Sequence, residues 1–167
     1  MIGDIVYVER KPLWFGNIQH RLNPQSTWLD KLIARVVLYR HYGVEIEENE
    51  IIHFYCTSIF NLQAAKIQIT TKEDFLKNDG ALEVESIESA IYDKWQVAQR
   101  AKTMLNTSFD GYHINKNNCE HFALWCATGY RFTRQKPWTT AYRTFGSASV
   151  TLKAKVATLI ISIIGFI

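Results

Sequence analysis

A chain of 167 residues has room for one domain and a short remainder, and a 47% apolar, 13% aromatic composition rules out a chain too polar to bury a core. Net charge is only +3, but 13 of the Lys/Arg residues face 16 acids in residues 1–120, whereas residues 121–167 hold 6 Lys/Arg and no acid. That imbalance places the C-terminal part near an anionic surface, a membrane more readily than a nucleic acid.

Residues 3–9, GDIVYVE, are rich in β-branched side chains and alternate Ile5 and Tyr7 with Val6 and Val8, the pattern of a strand. No apolar stretch ahead of a small-residue cleavage site marks a signal peptide here. The following RKPLWFGNIQHRLNPQSTW carries two prolines and reads as a long loop, with a helical turn an option over residues 28–35. Two apolar runs, VVLYRHYGVEI and IIHFYC, flank an acidic turn at residues 47–50 and predict a hairpin. AAKIQITT supplies a further strand, and TKEDFLKNDG a polar connection with room for one helical turn.

From Ser86 the period changes. Ile87, Ile91, Trp95, Ala98, Ala101 and Leu105 recur at three and four residues and predict an amphipathic helix with Ser86 as its N-cap. NTSFDG ends it, and YHI is a short extended piece. Asn117 and Asn118 then precede a second periodic run, Cys119, Phe122, Ala123, Cys126 and Ala127, with Gly129 placed as its C-terminal cap.

Beyond Gly129, arginines and lysines interleave with Tyr, Phe and Trp, and a 12-residue apolar run closes the sequence at residues 156–167. As a helix, twelve residues reach about 18 Å, short of a hydrocarbon core of roughly 30 Å. Lys153 and Lys155 sit where they can snorkel to headgroups, and Trp138, Tyr142 and Arg143 are interfacial types, so the segment reads as a membrane anchor. No stacking-platform motif supports nucleic-acid binding.

Cys56, Cys119 and Cys126 form an odd set with neither disulfide nor zinc spacing, which favours a reduced compartment. Cys119 stands at a helix start, where exposed N–H groups favour a thiolate and can donate to an oxyanion. A helical cysteine alone is more often buried packing. His41 and His53 alter that balance: two histidines on adjacent strands of one hairpin, with a helix-start cysteine, make the parts of a Cys–His–His site, one histidine as base and the other orienting it. His121, two residues from Cys119, turns to another helix face and reads as a local hydrogen-bonding residue. Cys126 and Cys56 read as core, the acidic runs at residues 45–50 and 83–88 as solvated turns or a helix start, and His20 and His113 have no assigned partner.

GDIVYVE, RHYGVEI with His41, IIHF with His53, QRAKTML and NNCEHFALWCATG together resemble the lecithin–retinol acyltransferase family, which includes the HRAS-like suppressor phospholipase/acyltransferases. The resemblance runs from residue 3 to residue 129. It implies an α+β fold, a small antiparallel sheet with helices packed on it, related to papain-like hydrolases by circular permutation. It also implies an acyl-thioester mechanism with Cys119 as nucleophile, His41 as base and His53 as orienting group; the helix-start position separately suggests Asn118 and Cys119 as oxyanion-binding or positioning residues. No metal or other cofactor is implied. The chain departs from the family pattern in a longer link between GDIVYVE and RHYGVEI, and in Tyr42 where many members carry Trp.

The expected organisation is a catalytic domain over residues 1–130, a basic-aromatic juxtamembrane segment over 131–155 and an apolar anchor over 156–167. The expected partners are a phospholipid or other acyl-lipid substrate and a membrane surface met by residues 131–167, with no nucleic acid, at a cytoplasmic, membrane-associated location. Two other functions stay open at this level: a non-catalytic interaction protein on the same fold, and a peptidase or amidase of the papain-like clan.

Overall fold

The computed structural model describes residues 1–10, 39–55, 61–77, 79–113 and 116–134. Strands β1 (Ile5–Arg10), β2 (Tyr39–Glu47), β3 (Glu50–Tyr55), β4 (Lys66–Thr71) and β5 (Glu83–Val84) form one antiparallel sheet in the order β4-β3-β2-β1-β5. The fold is therefore α+β with a small antiparallel sheet, as the sequence implied. The long link at residues 11–38, His20, Cys56 and everything beyond residue 134, including the apolar run, lie outside the described residues.

The helices divide between the two sheet faces. Alternation along β2 and β3 sends Tyr42, Val44, Ile46, Ile52 and Phe54 into the main core. There they meet α2 (Lys94–Thr103) and α3 (Cys119–Thr128), which contribute Val97, Ala98, Ala101, Cys119, Phe122, Ala123 and Cys126. A smaller cluster of Val6, Val8, Ile51 and Phe75 closes the other face. Phe75 comes from α1 (Lys72–Leu76), one short helix in the segment read as a polar connection, capped by Thr71 Oγ1, which accepts the Asp74 N–H at 3.1 Å.

The helix expected from Ser86 begins later. Asp93 is its N-cap, accepting the Gln96 N–H at 2.8 Å while Gln96 Oε1 accepts the Asp93 N–H at 3.0 Å. This reciprocal capping box satisfies two donors at once, which Ser86 has no matching partner to do. Residues 85–93 instead run as turn and extended chain, hydrogen-bonded from Ile91 and Tyr92 to the Ala127 carbonyl at 3.0 and 3.2 Å. Ile91 and Trp95, expected on the buried face, are 65% and 67% exposed.

The acidic run at 83–88 is likewise not only a solvated turn. It supplies β5, and Glu85 accepts from Tyr42 Oη at 3.1 Å and pairs with Arg134 at 3.2 Å. Of YHI, His113 pairs with Asn117 as an antiparallel bridge, its N–H donating to the Asn117 carbonyl at 2.8 Å, and Ile114 lies outside the described residues.

Candidate active site

Strands β2 and β3 pair only from Val44–Ile52 to Glu47–Glu50, with a bulge between Glu45 and Glu47. Beyond that point β2 continues its pairing with β1, and β3 with β4, but not with each other. The N–H of Glu45 goes to Asp4 at 3.0 Å, on the β1 side, so the N–H of Tyr42 turns toward the β3 side, where the strands part. The Cys119 thiol sits against that amide and those of Glu120 and Cys119 itself.

His41 and His53 meet across the same parting. His41 Nε2 lies 2.7 Å from His53 Nδ1, with the rings nearly perpendicular at 79°. Both are buried. Phe75 stacks on His41 at 5.0 Å and meets His53 edge-on at 5.3 Å, and Tyr55 flanks both rings. The structure thus joins the two predicted histidines directly and sets Cys119 against the amide of the residue that follows His41.

Asn118 holds the helix start. Its Oδ1 accepts the N–H groups of Glu120 at 3.0 Å and His121 at 3.3 Å, and its own N–H donates to His121 Nδ1 at 3.3 Å. His121 is therefore a capping partner, the local role expected of it. Gly129 closes the helix in the left-handed region at φ 77°, as expected of a C-terminal cap. Cys126 lies fully buried in the core seven residues on.

Burial governs the titration of all three groups. The Cys119 thiol, 3% exposed, is pushed up to about 11 by loss of solvent, against which the amides of Tyr42, Glu120 and Cys119 work only in part. The helix-start amides lower the thiol pKa as expected, but desolvation outweighs them and the net shift is upward. His41 is held well below its usual range, first by burial, then by His53 and the cations Arg10 and Lys77. His53 is lowered by burial, Arg10 and Lys77. At rest the shifts favour a neutral thiol and neutral imidazoles, and among the described residues no hydrogen bond joins the Cys119 thiol to either histidine.

Three groups escaped sequence reasoning. Phe75 sat in a segment read as polar, although a lone Phe inside KEDFL is itself an apolar signal. Arg10 was assigned to the loop after β1. Glu120, fully buried, accepts Thr133 Oγ1 and the N–H of Arg134 at 2.9 Å, so the chain past α3 turns back to the Cys119 end of that helix. Arg131 bonds Asp110 at 2.7 Å and covers Phe109. The four residues described beyond Tyr130 thus pack with the domain.

Among the described residues no group of three or more His, Cys, Asp or Glu is placed to hold a metal ion. Nor is any helix among them long and apolar enough to cross a membrane. The family model for lecithin retinol acyltransferase matches residues 29–132, a span containing His41, His53 and Cys119. No curated protein sequence matches the chain.

Proposed function

The chain belongs to the lecithin retinol acyltransferase family, and from that premise we propose that it is a thiol acyltransferase or phospholipase A-type hydrolase of acyl lipids, with Cys119 as nucleophile. One observation carries the reading: His41 and His53 are hydrogen-bonded at 2.7 Å where β2 and β3 part, and the Cys119 thiol meets the strand amide next to His41.

The neutral resting state calls for general-base catalysis. As the sulfur attacks the ester carbonyl, its proton passes to His41 Nδ1, the ring nitrogen turned away from His53. The carbonyl oxygen becomes an oxyanion, stabilised by the Cys119 N–H at the start of the helix whose next two amides Asn118 caps. Collapse breaks the ester C–O bond, and the departing alkoxide takes the proton from His41. The acyl group is left on Cys119 as a thioester. Water, an amine or a hydroxyl then attacks that thioester, His41 receives the nucleophile's proton, and the proton returns to sulfur as the product leaves. His53 Nδ1 accepts from His41 Nε2–H throughout and fixes the tautomer this sequence needs.

We further place the substrate in a membrane surface met by residues 131–167, on the cytoplasmic side. The basic, acid-free composition of that segment and its apolar run support this assignment.

The test is mass spectrometry of the full chain after exposure to mixed phospholipid vesicles. An acyl adduct on Cys119, with release of lysolipid, is the expected result; turnover undiminished in Cys119→Ala excludes the mechanism. A second reading, a non-catalytic interaction protein on the same fold, draws on the burial and raised pKa of the thiol. It predicts no adduct and ordinary thiol chemistry in the folded chain.

A further inference from the structure

Arg10, the last residue of β1, is 6% exposed although it carries a full charge. Its guanidinium donates from Nη1 to the Leu76 carbonyl at 2.6 Å and to Asp79 Oδ2 at 2.8 Å, and from Nη2 to the Phe75 carbonyl. A buried cation is costly unless its donors are used, and here two carbonyls at the end of α1 and the Asp79 carboxylate beyond it accept from the guanidinium. The residue so gripped is Phe75, whose ring lies on His41 and edge-on to His53. A line of direct contacts therefore runs from the end of β1, through the backbone of α1, to the ring that covers both imidazoles.

The far end of the histidine pair is distinctive. His53 Nε2 is buried and has no hydrogen-bond partner among the described residues, so none of their carboxylates stabilises a positive charge there. Among the described residues, the charged groups acting on the pair are Arg10 from β1 and Lys77 after α1, and Tyr55 from β3 flanks both rings. Lys77 Nζ donates to Tyr55 Oη at 3.0 Å.

We propose that Arg10 is a positioning residue for the histidine pair: it clamps α1 so that Phe75 closes over both rings, and its charge, balanced by Asp79, sets how readily the pair takes up a proton. This deepens the reading of His41 and His53 as the base of an acyl-transfer site, and rests on it. An imidazolium formed near Arg10 and Lys77, with no anion among the described residues behind it, is short-lived. Its proton is handed promptly to the leaving alkoxide.

The test is an NMR titration of the imidazoles in the full chain without lipid, alongside kcat for acyl transfer from vesicles. In Arg10→Met the pair takes up protons at a pH higher by about one unit, because a neighbouring cation is gone. Arg10→Lys, which keeps the charge and loses the fork, returns the titration to the wild-type range while the Phe75 ring contact with His41 weakens. Asp79→Asn removes one anion beside Arg10 and holds the pair at or below the wild-type position. A folded Arg10→Met with unmoved histidines, or an equal upward movement in Arg10→Lys, overturns the proposal. If Arg10→Met does not fold, an upward movement in Asp79→Asn overturns it instead. Wild-type protein without acyl transfer but with these shifts removes the enzymatic reading and leaves the clamp standing; acyl transfer with unmoved histidines does the reverse.

Discussion

His41 and His53, twelve residues apart in the chain, share a 2.7 Å hydrogen bond across the place where their strands stop pairing. In the proposed mechanism one ring acts as base and the other fixes its orientation. His41→Gln is expected to abolish acyl transfer, and His53→Gln to lower kcat by roughly 10²–10⁴ with little change in KM. Steady-state kinetics on phospholipid vesicles check both, and a His53→Gln enzyme with wild-type kcat contradicts the orienting role.

Titration of the pair also sets the pH response of the fold. Both histidines have folded pKa values depressed below 6.5, so the unfolded chain binds protons first as pH falls. Stability is complete above about 6.5 and is lost below it, at about 1.4 kcal/mol per pH unit for each histidine, until the folded pKa is reached. Cys119 works on the alkaline side: its folded value near 11 exceeds the ordinary 9.0, so its contribution holds below 9 and is lost as pH rises toward 11. Denaturant melts across pH 4–10 should show both flanks; a flat acid flank contradicts the buried neutral pair.

Glu120 follows Cys119 directly, and its carboxylate raises the thiol pKa. Glu120→Gln keeps an acceptor for Thr133 and the Arg134 amide but removes the charge. Alkylation of Cys119 by iodoacetamide at fixed pH should quicken by roughly three- to tenfold, the effect of half to one pKa unit. An unchanged rate argues that the carboxylate is screened from the sulfur.

Asn118 separates capping from charge. Asn118→Ala removes the acceptor for the Glu120 and His121 amides and should cost about 1 kcal/mol of stability. Asn118→Asp keeps the cap but places an anion beside the thiol, so stability should survive while Cys119 alkylation slows. Thermal melts and alkylation rates read the two effects separately.

Gly43 marks the close approach of β2 to the roof of the pair. A Cβ there would lie 2.5 Å from Ile51 Cγ2 and 3.0 Å from Phe75 Cε2. Gly43→Ala should therefore cost about 1–3 kcal/mol by overpacking and displace Phe75 from His41. A melt indistinguishable from wild type would show that α1 yields freely.

Local sequence determined several elements without help. Alternation named β1 and the hairpin, Asn118 and Gly129 bracketed α3, and the quoted boxes singled out Cys119, His41 and His53, because strand period, caps and short motifs are written in neighbouring residues. The start of α2 was misread for a local reason: Ile87 and Ile91 continued the helical period, but the Asp93–Gln96 capping box outweighed them.

Only the tertiary structure decided the rest. The parting of β2 from β3, the roof made by Phe75, the Arg10 grip 65 residues away and the return of Thr133 and Arg134 to Glu120 all join segments distant in the chain. No periodicity records such pairings. The same holds for the charge state of the site: a helix start alone predicts a lowered thiol pKa, and burial of Cys119 raises it and favours the neutral thiol. Desolvation depends on everything packed around a group, which a stretch of sequence does not contain.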